Sequence, residues 1–376
     1  METFPRKVMM KSNKRRKIVP AGILIICFIA VGVCSLEAGE KQTYQRDTLS
    51  FSSASSAGRE TIRIAAVGDI MMGTEGLLPA DGGADSFKHV LPYLQGARIV
   101  FGNLEAPLTT RAVTAKKSIP GRSYAFKTPP DYARRLSEAG FNMVSLANNH
   151  VMDYGFEGQE ETVRVLREHD IAFSGPPGTI ARRIVDHRTV YMIAFAPYDN
   201  CNDLRDIDAA AAMVANLARE DGSPLIIVSF HGGAEGVSRT RTPDQPEVFL
   251  GEQRGHVRRF ARAMIDAGAD LVIGHGPHVP RAAEIYKDRF IAYSLGNFVT
   301  HLAINVEGIR GLAPLLLVDL AADGKITGGE IISFQQDRGI PPVFDPDGKA
   351  ARLMFELGEK DFPYSNALKA DGRIRR

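Results

Sequence analysis

Six apolar runs in this chain each end in a short cluster of glycine with Asp, Asn, Glu or His. Val67 is followed by GDIMMG (68–73), Phe101 by GNLE (102–105), Ala147 by NNHVMDYG (148–155), Phe230 by HGGAEG (231–236), Ile273 by GHGPH (274–278) and Leu295 by GNF (296–298). Short apolar runs alternating with amphipathic stretches predict an α/β fold, and in such sheets ligands bind beyond the carboxyl ends of the strands. The pattern predicts strands at 62–67, 98–101, 141–147, 171–175, 190–196, 224–230, 270–275, 289–295 and 312–320. It predicts helices at 131–139, 157–169, 205–219 and 246–267, with Gly140 and Gly268 placed to cap two of them. Residues 326–336 read as an edge hairpin, and 341–376 as a C-terminal extension with one amphipathic stretch near 349–357.

Taken singly, each polar cluster has a structural explanation. Asp69 can cap a helix, Asn103, Asn148, Asn149 and Asn297 are ordinary turn residues, and His231 can be a buried histidine bonded to a carbonyl. Six coincident strand ends favour one shared crevice built from Asp69, Glu105, Asn149, His150, His231, His275 and His278. Imidazoles, carboxylates and amide oxygens without cysteine suit a divalent Mn, Zn or Fe, as one or two ions. His89, His169, His187, His256 and His301 lack the strand-end context and read as surface or core residues. No dinucleotide fingerprint, Walker loop, H-E-x-x-H or G-x-S-x-G elbow is present, which removes several common catalytic classes.

The N-terminus predicts location. Lys7, Lys11, Lys14, Arg15, Arg16 and Lys17 precede IVPAGILIICFIAVGVCSL (18–36), a run of 19 uncharged positions. That is close to the ~20 residues needed to cross a bilayer core. Residues 1–37 thus read as a basic cytoplasmic segment with a single-pass anchor, or alternatively as a signal cleaved to release a secreted protein. Residues 38–60 are a flexible linker, and 61–340 form the main domain, outside the cytoplasmic membrane. Apart from the basic start, acidic groups slightly outnumber basic ones, so the formal charge of +2 gives no reason to expect nucleic acid as a partner. Cys27 and Cys34 lie in the apolar run, leaving Cys201 alone in the domain and no disulfide framework within it.

The ordered series GD (68–69), GNLE, NNHVMDYG, HGGAEG, GHGPHV (274–279) and SLGNF (294–298) resembles the bacterial capsule-synthesis, CapA/PgsA-type family associated with poly-γ-glutamate. That family is related to calcineurin-like metallophosphoesterases. The resemblance implies a four-layer αββα sandwich of the metallophosphoesterase type, placed after the transmembrane helix. It implies metal-ligand positions at Asp69, Asn103, Glu105, Asn149, His231, His275 and His278, and catalytic positions at His150, Asp153 and Glu235. His150 would donate to a developing oxyanion or to a leaving group. Arg239 and Asn297 are expected to contact substrate. Met71 and Asn103 stand where the phosphoesterase pattern has a histidine and a bridging aspartate.

The expected function is a membrane-tethered, extracytoplasmic component of capsule or poly-γ-glutamate synthesis or export, carrying a site for metal-dependent hydrolysis or transfer. Two alternatives stay open: a non-catalytic module that binds anionic polymer or assembles a complex, and a metallophosphoesterase-like hydrolase of another substrate. The expected partners are an anionic polymer or its precursor, the membrane, and a membrane synthase or exporter. Arg122, Lys127, Arg239, Arg241 and Arg281 are candidate polymer contacts or simply solvated surface.

Overall fold

A computed structural model describes residues 61–116 and 124–375; the apolar run 18–36, the linker 38–60 and Arg122 lie outside the described residues. Among the described residues, two large mixed sheets form the body of the fold. In the first, the strand Ile62–Met71 lies parallel to Ile99–Leu104, which continues through Met143–Ser145 to Ala172–Ser174. On its other side Ile62–Met71 pairs antiparallel with Leu312–Leu320, and its carboxyl end also takes the short parallel strand Asn297–Thr300. The second sheet runs Ala283–Tyr286, Arg289–Ala292, Leu271–His275, Leu225–His231, Arg188–Ala196 and Ala181–Val185, its four central strands parallel.

Side-chain alternation decides how these sheets stack. In the second sheet Met192, Ala194, Ile227, Ile273 and Ala292 join the core that contains Ile64, Ala66, Phe101 and Met143 of the first sheet. Their neighbours Ile193, Phe195, Val228, Val272 and Ile291 point the other way, onto Val214 and Leu217 of helix Ile207–Ala218 and Phe260 and Met264 of helix Val257–Asp266. Helices Ala133–Glu138 and Gly155–Glu168 pack Leu136, Val165 and Leu166 against the first sheet's core. Two sheets share one apolar interior, and helices cover them.

Several boundaries differ from the sequence pattern. The first strand continues past Val67 to Met71, with register shifts on both sides of Asp69 that mark a bulge. Helix 246–267 begins only at Val257, because a small hairpin (Val248–Phe249 with Glu252–Gln253) precedes it and Gly251 and Gly255 take positive φ. Ile326–Asp337 lies inside the sheet between Leu312–Leu320 and Ile340–Phe344 rather than at its edge. Residues 341–376, beyond the main domain in the sequence pattern, pack into the body: Met354, Leu368 and Ile374 belong to the main core and Leu357 and Phe362 to the second.

Two glycines explain why polar clusters can follow the strands so closely. A Cβ on Gly68 would stand 2.0 Å from the Gly296 carbonyl oxygen, and one on Gly274 would stand 2.4 Å from the Tyr293 carbonyl oxygen. Only glycine lets these backbones meet.

Buried Asp270 ties the second sheet's central strands to their surroundings. Its carboxylate accepts from the Ile226 amide at 2.9 Å and lies 3.3 Å from Arg289. Burial pushes its pKa up to about 6, against the lowering effect of the Ile226 bond. The folded state therefore holds this proton more tightly than the unfolded chain, and the resulting stability is lost as pH rises through 6. Asp270→Asn should gain stability relative to the unsubstituted protein between pH 4 and 7, by about 3 kcal/mol at ~1.4 kcal/mol per pKa unit. Urea midpoints of the two proteins across that range check it; a pH-independent difference would refute the assignment.

Candidate functional site

Strand register brings the polar clusters together. Asp69 lies opposite Asn103 on one neighbouring strand and opposite Asn297 on the other, while in the second sheet His275 lies opposite His231. Asp69, Asn103, Glu105, His231, His275 and Asn297 are all completely buried. The bulge at Asp69 is of the kind that re-aims a side chain beside a functional site. His278 adopts φ of +56°, a left-handed conformation uncommon outside glycine, and turns its ring back toward Asp69.

Asn103 is the hub of the inner cluster. Its Nδ2 donates to Asp69 Oδ1 at 2.8 Å and to Glu105 Oε2 at 2.6 Å, and its Oδ1 accepts from Asn148 Nδ2 at 3.2 Å. It offers the site hydrogen-bond donors, with its oxygen turned to Asn148. Around it, His278 Nδ1 lies 2.9 Å from Asp69 Oδ2 and His275 Nδ1 lies 3.3 Å from Asp69 Oδ1. Glu105 Oε1 is 3.9 Å from His278 Nε2 and 4.0 Å from His150 Nε2, and Glu105 Oε2 is 3.8 Å from His231 Nδ1. Asn297 Oδ1 accepts from His278 Nδ1 at 3.1 Å, and its Nδ2 donates to the His278 carbonyl at 3.2 Å.

The donor set fits a divalent cation. Asp69, Glu105 and His231 each bring one ligand atom within 4.8 Å of the others. Glu105 Oε1, His231 Nδ1, His275 Nε2 and Asn149 Oδ1 are buried without a hydrogen-bond partner. Unsatisfied buried polar atoms each cost ~1–3 kcal/mol, and two of these belong to Glu105 and His231 of that group, so a ligand there would relieve a real cost.

The electrostatics agree. Burial alone would raise the pKa of Asp69, but the imidazoles of His275 and His278 hold its carboxyl well below the usual carboxylate range. Glu105, buried beside that charge, is pushed up to about 8. Burial disfavours a charged His278, yet its bond to Asp69 and the charges of Glu105 and Glu235 raise it to about 10. Burial and the Arg254 charge keep His231 well below its ordinary value.

His150 is buried, with its Nδ1 2.7 Å from Asp153 Oδ2. The carboxylate can only accept, and Lys116 Nζ, 3.2 Å from the same nitrogen, can only donate but already bonds Asp153 Oδ1 and the Asn149 carbonyl; the shorter contact with Asp153 assigns the proton to Nδ1. Burial lowers the His150 pKa, although Asp153 opposes this. The neutral ring thus turns a lone pair at Nε2 toward Glu105, which makes it a proton acceptor; the donor role expected from sequence requires a protonated ring. Asp153 also accepts from the Phe126 amide at 2.7 Å and pairs with Lys116 Nζ at 2.9 Å. The Phe126 ring stands 4.3 Å from that of His150.

Glu235 pairs with Arg254 Nη2 at 3.0 Å, and the same nitrogen is 3.3 Å from His231 Nε2. Arg254 is 1% exposed and also donates to the Gly233 carbonyl and to Tyr198 Oη. Arg239 is exposed, and its backbone carbonyl accepts from Arg281 Nε at 2.9 Å. Arg281 is wholly buried on Glu247, Lys127 pairs with Glu75, and Arg241 pairs with Asp361. Those three cations are committed to partners within the fold. Lys116 and Arg254 were invisible to the sequence pattern, since both lie outside the strand-end clusters. The glycines flanking 252–254 were the one available signal that Arg254 is not helical.

Residues 63–302 match the family model described as "Bacterial capsule synthesis protein PGA_cap". The chain is 28% identical over 316 residues to the capsule biosynthesis protein CapA of Bacillus anthracis, covering 79% of this chain and 72% of that one. It is 26% identical over 306 residues to the PGA biosynthesis protein CapA of Bacillus subtilis (strain 168), covering 77% and 73%. Among solved structures, the calcineurin-like phosphoesterase YfkN of Bacillus subtilis aligns with a TM-score of 0.43 at 15% identity, covering 82% of this chain and 99% of that one. From the matched span, which contains all six strand-end clusters, the chain belongs to the bacterial capsule synthesis protein PGA_cap family.

Proposed function

We propose that this protein is a membrane-tethered, extracytoplasmic component of capsule or poly-γ-glutamate synthesis or export, whose crevice holds a divalent metal and acts on the polymer or its precursor. Membership of the PGA_cap family carries the biological part of this reading, and CapA proteins named for capsule and PGA biosynthesis support it. The uncharged run 18–36 supports the tether. The unpartnered buried donors of Glu105, His231 and His275 support the metal.

A bound divalent ion supplies Lewis-acid polarisation and lowers the pKa of water. Asp69, Glu105, His231, His275 and His278 are the residues that would hold it. His150, neutral and oriented by Asp153, accepts a proton at Nε2, while Asn297 keeps the His278 ring in place. Hydrolysis or transfer at an amide or phosphoester is the reaction class this arrangement supports. Removal of the gene from its host should reduce polymer amount, chain length or surface attachment; polymer unchanged in all three would sink the proposal.

A second reading, binding without turnover, draws on Met71. It is fully buried against Ala106 and Phe126, in the place where the related phosphoesterase pattern has a histidine. Incubating the purified full chain with poly-γ-glutamate separates the two. Salt-sensitive binding with no change in polymer length and no released product would favour the binding module.

A further inference from the structure

The buried charges of the crevice are set up for one ion. Among the described residues, Asp69 and Glu105 are the two carboxylates of the inner cluster without a cationic side chain from Lys or Arg. The next two are already matched: Asp153 by Lys116 at 2.9 Å, and Glu235 by Arg254 at 3.0 Å. Arg254 is held in place by the Gly233 carbonyl and Tyr198, and it brings its fixed positive charge to 3.3 Å from His231 Nε2. Between the two inner carboxylates lies Asn103, whose Nδ2 spends both hydrogens on them and whose oxygen is tied to Asn148.

We propose that this crevice binds a single divalent cation rather than a pair, and that Asn103 and Arg254 set that number. The inference rests on the metal-site reading above. Two carboxylates neutralise one divalent ion. A second would add two uncompensated positive charges, because Arg254 already occupies Glu235 and Lys116 occupies Asp153, and buried charge without a partner costs several kcal/mol. The position between Asp69 and Glu105 where a shared carboxylate would bind both members of a pair holds an amide nitrogen instead, which donates hydrogen bonds and cannot ligate. Asn103→Asp is nearly isosteric. It restores one negative charge and two acceptor oxygens at that point, while Asn148 can still donate to one of them.

The test is a Mn(II) titration of the purified full chain, with metal content per chain and low-temperature electron paramagnetic resonance as readouts. The unsubstituted protein should take up one Mn(II) per chain with the spectrum of an isolated ion. Asn103→Asp should take up two and show the spectrum of an exchange-coupled pair. Two coupled ions in the unsubstituted protein would overturn the proposal while leaving the metal site intact. One ion in both proteins would overturn the role given to Asn103. No stoichiometric uptake of Mn(II), Zn(II) or Fe(II) by the unsubstituted protein would instead bring down the metal-site reading itself. Should Asn103→Asp fail to fold, the stoichiometry of the unsubstituted protein still decides the central point.

Discussion

His275→Ala should weaken divalent-metal affinity by more than the ~10–100-fold that loss of an outer-sphere partner costs, while leaving the metal-free protein folded. His275 is completely buried, its Nε2 has no partner, and its ring packs edge-on to Phe101 at 5.7 Å. A histidine kept for structure would have both nitrogens engaged, and its loss would destabilise the metal-free fold. Here the unsatisfied nitrogen is itself a burden in the metal-free state, offsetting part of the cost of the cavity that alanine leaves. Chelator competition gives the affinity, and thermal melts with and without metal give the stability. Equal metal-dependent stabilisation of both proteins would show that His275 is not a ligand.

The same site fixes the direction of the pH dependence. Glu105, raised to about 8, and His278, raised to about 10, both hold protons at neutral pH in the metal-free protein. Metal must displace them, so affinity should rise with pH by up to about tenfold per unit for each proton released. Calorimetry in buffers of differing ionisation enthalpy reads the proton count directly.

Arg281→Ala should cost ~3–5 kcal/mol of stability, the range for removing one partner of a buried ion pair. Arg281 is 0% exposed and grips both oxygens of Glu247 at 2.8 and 2.9 Å. It also donates to the carbonyls of Ala234 and Arg239, and Glu247 Oε2 accepts from the Ala234 amide at 3.0 Å. Arg281 and Glu247 therefore pin the loop that begins at His231 and ends at Glu235. Removing the arginine strands a carboxylate in the interior; removing both should cost less than the sum of the single changes. Denaturation midpoints of Arg281→Ala, Glu247→Ala and the double variant form the cycle. Strict additivity would mean that the two side chains do not act as a unit.

How much of this was legible in the sequence varies with the physics involved. Strands such as Arg188–Ala196 and Leu225–His231 were visible because apolar residues fill both of their faces, one toward the other sheet and one toward helices. The sequence pattern ends the strand Ile62–Met71 early because Gly68-Asp69 looks like a turn, whereas the glycine is there to let Gly296 approach. Strands Ala181–Val185, Ala283–Tyr286 and Asn297–Thr300 leave no strand signal in the sequence pattern. They are short, and their pairing partners rather than their composition make them strands.

The sequence by itself determined that polar residues would gather at strand ends, since glycine spacing and apolar periodicity are local properties. It also named Asp69, Asn103, Glu105, Asn149, His231, His275 and His278 as candidate ligands. Only the tertiary structure decided which atoms face one another. Register across two sheets put Asp69 between Asn103 and Asn297, and folding of distant loops delivered Lys116 to Asp153 and Arg254 to Glu235 and His231. Those long-range contacts set the charge balance of the crevice, because a buried charge is governed by its neighbours in space and not by those in the chain.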